Sequence, residues 1–240
     1  MNIKLITFLT GALAVAGTLP GQAQLRQRRH FDYQGRPYYR GPVRLTVGGG
    51  LAFYNGDLGS VGQAFLAPAA SVGVLYRVRP RLSVGGGFSY FELGSKDQLP
   101  ERGLAFTSSN ALGSGRLRFD ILHDESAFTS LRTGAPPLQL FVQGGAGLLL
   151  YNPKAYVGTA RPTGGTVYLA PERNDYPAVA AVAFGGGGLT FRISDRLRAG
   201  LEGNYYFTTS DNLDDVSQRG NPTQNDGFLT TQLQLEYSLE

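Results

Sequence analysis

The sequence predicts an all-β chain, an eight-stranded antiparallel transmembrane β-barrel of the outer-membrane type. Three observations predict it. Eight segments of about ten residues or more alternate apolar and polar side chains with period two, and turn-rich stretches separate them. The apolar faces of these segments end in aromatic residues, while the opposite faces carry charges of both signs. The chain opens with an export-type segment, and no later apolar run reaches the ~18–20 residues of a membrane-spanning helix.

Composition narrows the classes. Glycine contributes 34 of 240 residues, about twice the ordinary ~7% share, without a three-residue period. With 42% hydrophobic and 11% aromatic residues, the chain is neither collagen-like nor a low-complexity disordered segment. The absence of cysteine excludes disulfides, thiolate metal sites and thiol catalysis. The net charge is +4, but the only dense basic stretch is Arg26, Arg28, Arg29, Arg36 and Arg40. Singly spaced arginines elsewhere do not make a nucleic-acid footprint, so nucleic-acid binding is not expected.

Three regions are expected: a signal peptide at 1–23, a basic periplasmic arm at 24–42 and the barrel at 43–240. Met1-Asn2-Ile3-Lys4 is a short basic lead, Leu5 to Leu19 is mostly apolar, and Gly21-Gln22-Ala23 offers small residues for cleavage before Gln24. The arm is polar, basic and broken by proline. Its Arg26, Arg28, Arg29, Tyr38 and Tyr39, with Phe31 and Tyr33, combine charge with flat aromatics and are candidate partner contacts.

The expected strands follow in order. Val43–Tyr54 aligns Val43, Leu45, Val47, Leu51 and Phe53 on one face, and Phe65–Arg77 aligns Val72, Val74 and Tyr76. Leu82–Phe91 aligns Leu82, Val84, Phe88 and Tyr90, and Phe106–Ile121 sets Leu117, Phe119 and Ile121 against Arg116, Arg118 and Asp120. Leu138–Tyr151 and Val179–Phe191 are the fifth and sixth. Leu197–Phe207 sets Leu197, Leu201, Tyr205 and Phe207 against Arg198, Glu202 and Asn204, and Leu229–Leu239 sets Leu233, Leu235 and Tyr237 against Gln232, Gln234 and Glu236. Alternation by itself fits a soluble barrel as well. The aromatic ends, the mixed charges and the strand lengths favour the inverted arrangement, with apolar faces on lipid. Short links at 78–81 and 192–196, against longer ones at 55–64, 92–105, 152–178 and 208–228, place both termini in the periplasm. Only the link Leu122–Pro137 departs from this pattern.

On that topology Arg44, Arg116, Arg118, Asp120, Arg198, Glu202 and Glu236 face a narrow lumen, where they are expected to pair into a structural network. The glycine runs Gly48–Gly50, Gly85–Gly87 and Gly185–Gly188 lie inside strands and lack a Gly-Lys-Ser/Thr ending. They read as sites of curvature and close packing, not as phosphate loops. Asp211, Asp214 and Asp215 lack the spacing of a calcium loop. The histidines are His30 and His123, and the contiguous stretch His123-Asp124-Glu125-Ser126 does not suit triad geometry. No catalytic residue, cofactor or metal site is expected.

Four loop motifs carry a resemblance. Tyr54-Asn55-Gly56-Asp57-Leu58 follows the first strand, and Arg102-Gly103-Leu104-Ala105-Phe106 introduces the fourth. Tyr151-Asn152-Pro153-Lys154-Ala155 closes the fifth, and Asp211-Asn212-Leu213-Asp214-Asp215-Val216-Ser217 follows the seventh. In this order the chain resembles a family of small bacterial outer-membrane β-barrels that includes the PorG-type component of the type IX secretion system, over about residues 43–239. The arginine-rich arm lies outside that pattern. The resemblance implies a barrel without a catalytic role, associated with secretion machinery, and marks Gly56, Asp57, Leu58, Asn152, Pro153, Lys154, Leu213, Asp214 and Asp215 as loop residues of the motifs. The implied function is a non-enzymatic anchoring component of the bacterial outer membrane, with an adhesion or ligand-binding barrel working through its extracellular loops as the alternative. Implied partners are outer-membrane lipid and periplasmic secretion proteins; no small-molecule substrate is expected.

Overall fold

Side chains alternate across an extended strand, so a run with unlike neighbours gives a sheet with unlike faces. Here the sheet closes on itself. The structure, a computed structural model, describes residues 30–32, 34–38, 40–56, 58–97, 103–122, 124, 128, 136–215 and 226–239. The signal-peptide segment 1–23, the arm residues Arg26, Arg28, Arg29, Tyr33 and Tyr39, and Asp57 and His123 lie outside them.

Two short strands, β1 (His30–Phe31) and β2 (Pro37–Tyr38), pair as a small hairpin. The barrel strands are β3 (Arg44–Asn55), β4 (Ala67–Arg79), β5 (Leu82–Lys96), β6 (Leu104–Asp120), β7 (Leu138–Val157), β8 (Ala178–Arg192), β9 (Leu197–Thr208) and β10 (Gly227–Ser238). Each pairs antiparallel with its sequence neighbours, and β10 pairs with β3 from Gly227↔Asn55 to Ser238↔Arg44, which closes eight strands into a barrel. Closure removes the sheet edges that an open β-protein must otherwise protect. The even strand number puts Arg44 and Ser238 at one rim, the terminal rim; the opposite one is the far rim.

All eight expected strands are present, with ends shifted by a few residues. The larger differences are at the far rim. β5 runs on to Lys96, paired with β6 up to Ala105, and β7 runs on to Val157. Asn152, Pro153 and Lys154, expected in a loop, therefore lie inside β7 opposite Ser109, Ser108 and Thr107 of β6. Pro153 is tolerated because β7 pairs with β8 only as far as Tyr151↔Ala178. Beyond that point β7 is bonded on that side to the β7–β8 connection, through Ala155 to Leu169 and through Val157 to Val167.

The two faces separate as the alternation demands. Along β3, Arg44, Thr46, Ala52 and Tyr54 are buried in the interior, while Leu45, Val47 and Leu51 face out. The outer wall presents Val72, Leu117, Val142, Leu148, Val179, Leu201, Leu233 and Leu235. This is the inverted arrangement of a transmembrane barrel, apolar outside and polar inside. Leu233, in the middle of β10, is 70% exposed.

Glycines on the two faces differ at several positions, although a Cβ on the outward Gly187 would also lie 2.7 Å from the Phe141 carbonyl oxygen. A Cβ on the inward Gly50 would lie 2.0 Å from the Thr231 carbonyl oxygen, and one on the inward Gly145 would lie 2.1 Å from that of Gly115. On the outward Gly49, Gly115 and Gly185 a Cβ would meet nothing within 4 Å. Strands of a narrow barrel crowd their concave side, and the inward glycines occupy positions where no side chain fits.

Candidate functional site

The interior has two unlike halves. Near the terminal rim it is charged. Arg44 Nη1 donates to Glu236 Oε2 at 2.8 Å and Nη2 to Ser83 Oγ at 3.2 Å. Arg118 donates to the second oxygen of Glu236 and, through Nε, to Asp120 Oδ1 at 3.0 Å. Its guanidinium also lies 3.7 Å from the centroid of the Phe141 ring. Arg198 stands directly across from Glu236 on β9. The charged groups come from inward positions of β3, β6, β9 and β10, with Ser83 from β5 and Phe141 from β7, so period-two alternation is what brings them together. Buried charges of this kind persist only when paired and hydrogen-bonded.

At mid-height Arg116 donates through Nη2 to Thr46 Oγ1 at 2.9 Å, and Nη1 lies 3.8 Å from Glu202 Oε2. Gln143 Nε2 donates to Asn204 Oδ1 at 2.8 Å and to Glu202 Oε2 at 3.3 Å. A cavity of about 30 Å³ lies among Ser71, Ser114, Arg116, Gln143 and Glu202. That is room for about one or two water molecules. Side chains fill the middle of the lumen, as an eight-stranded barrel requires.

The seven charged residues singled out from the sequence thus all face inward, and six of them meet in ion pairs: Arg44, Arg116, Arg118, Asp120, Glu202 and Glu236. Sequence reasoning missed Gln143, and it missed a further ion pair, Arg77 Nη2 to Asp124 Oδ2 at 3.0 Å. Arg77 ends an expected strand and Asp124 belongs to a turn, so no shared alternation links them.

Toward the far rim the interior is aromatic. Phe228 stacks on Tyr206 with centroids 4.4 Å apart, and Phe91 lies 4.8 Å from Phe228. Phe184 stacks on Tyr206, and Tyr54 meets Phe106 edge-on. Leu58 and Leu213, both loop residues of the family motifs, are buried in this core. Above the charged layer, inward positions carry rings that fill the barrel.

Gly56, Asp214 and Asp215, also residues of the motifs, cap that core. Tyr54 Oη stands 2.9 Å from Asp214 Oδ2 and is also hydrogen-bonded to Asp226 Oδ1. Asp226 Oδ2 accepts the Leu213 N–H at 3.0 Å, and Asp215 Oδ1 accepts the Glu172 N–H at 2.9 Å. Gly56 is glycine because a Cβ there would fall 2.0 Å from Asp226 Oδ1. Burial pushes the Asp226 carboxyl well above the usual carboxylate range, and the neighbouring Asp214 adds to the shift. Tyr176, whose hydroxyl donates to the Asn212 carbonyl at 3.3 Å, is also raised, by burial and then by Asp215. Asp226 was not singled out from the sequence. It precedes the last strand as an ordinary turn residue would, and its partner Tyr54 is 172 positions away.

The outer wall carries two rows of rings. Tyr76, Phe119, Phe191 and Tyr237 lie toward the terminal rim, and Phe53, Tyr90, Tyr205 and Phe207 toward the far rim. Below the terminal rim sits the β1–β2 hairpin. The Tyr38 hydroxyl donates to the Val78 carbonyl at 3.3 Å, His30 packs on Tyr38, and the Arg36 guanidinium lies 4.4 Å from the Phe128 ring centroid. Tyr38 is buried, so this arm residue faces its own barrel.

No protein-family model matches the chain, and no curated protein matches it. Among solved structures it is similar to the N-terminal β-barrel domain of OprF from Pseudomonas aeruginosa, with a TM-score of 0.45 and 8% identity, covering 83% of this chain and 99% of that one. It is also similar to neisserial surface protein A, with a TM-score of 0.44 and 9% identity over 82% of this chain and 97% of that one. Ail of Yersinia pestis gives a TM-score of 0.43 and 12% identity over 83% and 99%. Likenesses at this level lend the chain no role.

Proposed function

We propose that this chain is a non-enzymatic outer-membrane β-barrel that anchors a partner at the membrane, associated with type IX protein secretion. The observation that carries the membrane reading is the outer wall: an apolar belt bounded at both rims by rings, around an interior filled with paired charges and aromatic side chains. Among the described residues side chains fill the middle of the lumen, which favours anchoring over conduction. The link to secretion is supported by the loop motifs alone, among them Gly56, Leu58 and Leu213–Asp215, which build the far-rim cap. In this reading both termini are periplasmic, and the partner surface is the terminal rim with the basic arm below it. Arg36 and Tyr38 contact the barrel's own turns, and the partner contacts proposed for the arm are Arg26, Arg28 and Arg29.

Affinity capture of the full chain from outer membranes tests this. Periplasmic secretion components are expected to co-purify, and deletion of residues 26–40 is expected to lose them while the barrel still shows heat-modifiable gel migration. Normal cargo secretion by a strain lacking the protein overturns the secretion role.

A second reading, adhesion through the far-rim loops, rests on the β7–β8 connection, where Val167 and Tyr168 are 68% and 50% exposed. Trimming residues 160–170 is expected to abolish ligand binding and to spare secretion in that case.

A further inference from the structure

Tyr54, Asp214 and Asp226 pose a proton-counting problem. A phenol carries one proton and can donate one hydrogen bond; an ionised carboxylate donates none. Yet the same Tyr54 oxygen is hydrogen-bonded to Asp214 Oδ2 and to Asp226 Oδ1. Both contacts are hydrogen bonds only if a second proton is present, on one of the carboxyls. Asp226 Oδ2 is occupied as an acceptor by the Leu213 N–H, so its free position for a proton is Oδ1, against the phenol. The consistent arrangement has Asp226 Oδ1–H donating to Tyr54, and Tyr54 donating to Asp214.

We propose that this shared proton is a pH-sensitive clasp that holds residues 210–215 down on the aromatic core at the far rim. The clasp joins β3, through Tyr54, to both ends of the β9–β10 connection. Leu213 is the side chain it keeps buried, beside Tyr54, Leu58 and Phe228. Among the described residues, the titratable groups acting on Asp226 are Asp214 and Asp211 on residues 210–215 and Tyr54 on β3. Asp215 turns the other way, toward the Glu172 N–H and Tyr176 on the β7–β8 connection. Among the described residues, Thr208 and Ser210 hydrogen-bond the Asp226 backbone, and the core beneath contains the apolar Leu58, Phe106 and Phe228. Removing the proton therefore leaves two carboxylates confined on one phenol, and desolvation makes that repulsion costly.

The sign follows from linkage. The clasped state binds a proton that the released state gives up near the ordinary carboxylate value of ~4. Clasping is complete below that pH and weakens as pH rises toward the raised Asp226 value. This inference needs no partner and no secretion role, so its failure and the failure of the anchoring reading are separable.

The test uses the full chain folded in phospholipid nanodiscs. At neutral pH the infrared spectrum is expected to contain a protonated-carboxyl C=O band that disappears in Asp226→Asn and in Asp214→Asn. Each asparagine supplies the missing donor to Tyr54, so neither substitution leaves the phenol oxygen unpaired. Hydrogen-exchange protection at the Leu213 and Asp226 amides, corrected for intrinsic rates, is expected to fall at least about tenfold between pH 6 and pH 9 in the wild type, a change equal to one pK unit of linkage. In Asp226→Asn it stays level. The inference is overturned if the band persists in both variants, or if wild-type protection is flat with pH. Loss of protection on adding a chelator at constant pH also overturns it, since a bound cation would then be neutralising the pair. The infrared titration of the wild type stands even if a variant misfolds.

Discussion

Glu236 binds Arg44 at the seam of the barrel: Nη1 of the first barrel strand reaches Oε2 of the last at 2.8 Å. The other Glu236 oxygen takes Arg118 from the opposite side of the lumen. One carboxylate thus ties three strands, β3, β6 and β10, and both arginines are buried with it. Glu236→Gln keeps the shape and removes the charge, which strands two buried guanidinium groups. Breaking a buried pair in this way costs about 3–5 kcal/mol. Urea titration followed by heat-modifiable gel migration is expected to show a loss of that order. A loss under about 1 kcal/mol would mean that Asp120 suffices to neutralise the layer.

The two neighbouring glycines of β3 make opposite predictions. Gly50→Ala drives a Cβ into the Thr231 carbonyl oxygen, so the strands must part, and overpacking costs about 1–3 kcal/mol. Gly49→Ala points into open space outside the wall, where the effect is expected to stay within about 0.5 kcal/mol. Equilibrium unfolding of the two variants from the same lipid checks this. Equal effects would remove the crowding explanation for the inward glycines.

Legibility tracks how local each cause is. The strand β9 was found almost to the residue because its alternation is written in consecutive positions, and Arg198 and Glu202 were placed inward by the same rule. Inside and outside were not decided by alternation, which is symmetric; the rings at strand ends broke the tie. The same rule misleads at the far rim. There Phe91, Phe184 and Phe228 face inward, because a barrel end capped by loops can bury rings inside it. Pro153 was expected in a loop, yet it lies within β7 just past the point where the ladder to β8 ends at Tyr151. Asp226 was invisible because its role depends on Tyr54 across the closing seam.

The lipid-facing wall gives the sharpest test of the membrane reading. Leu233 lies mid-strand on β10 opposite Gly49 and Leu201, near the middle of the apolar belt. Leu233→Arg is expected to cost about 2–4 kcal/mol of folding free energy in lipid vesicles, while Tyr237→Arg near the terminal rim costs about 0–1 kcal/mol. The comparison is made by folding both from urea into the same vesicles. Were the barrel water-soluble, both substitutions would be neutral and the purified chain would stay dispersed without detergent.

The arm supplies a prediction in acid. Asp32 closes the β1–β2 hairpin: Oδ1 accepts the N–H groups of Gln34 at 2.9 Å and Arg36 at 2.8 Å, and Oδ2 accepts Arg36 Nε at 3.2 Å. Desolvation pushes its pKa upward, but the two backbone N–H groups and the guanidinium outweigh it, and the net shift is downward. A lowered carboxyl stabilises the fold above its unfolded value of ~3.9, and that contribution is lost as pH falls through the lowered value. Arg36 also holds the Phe128 ring, so losing the turn releases the hairpin's contact with the barrel. Asp32→Asn is expected to loosen the hairpin at neutral pH as acid does in the wild type, with the barrel unchanged. NMR of the chain in detergent micelles reads this from the carboxyl titration of Asp32 and from contacts between Tyr38 and Val78. A midpoint at or above the ordinary carboxylate value, or Tyr38 contacts that survive in Asp32→Asn, would show that the hairpin docks without its turn.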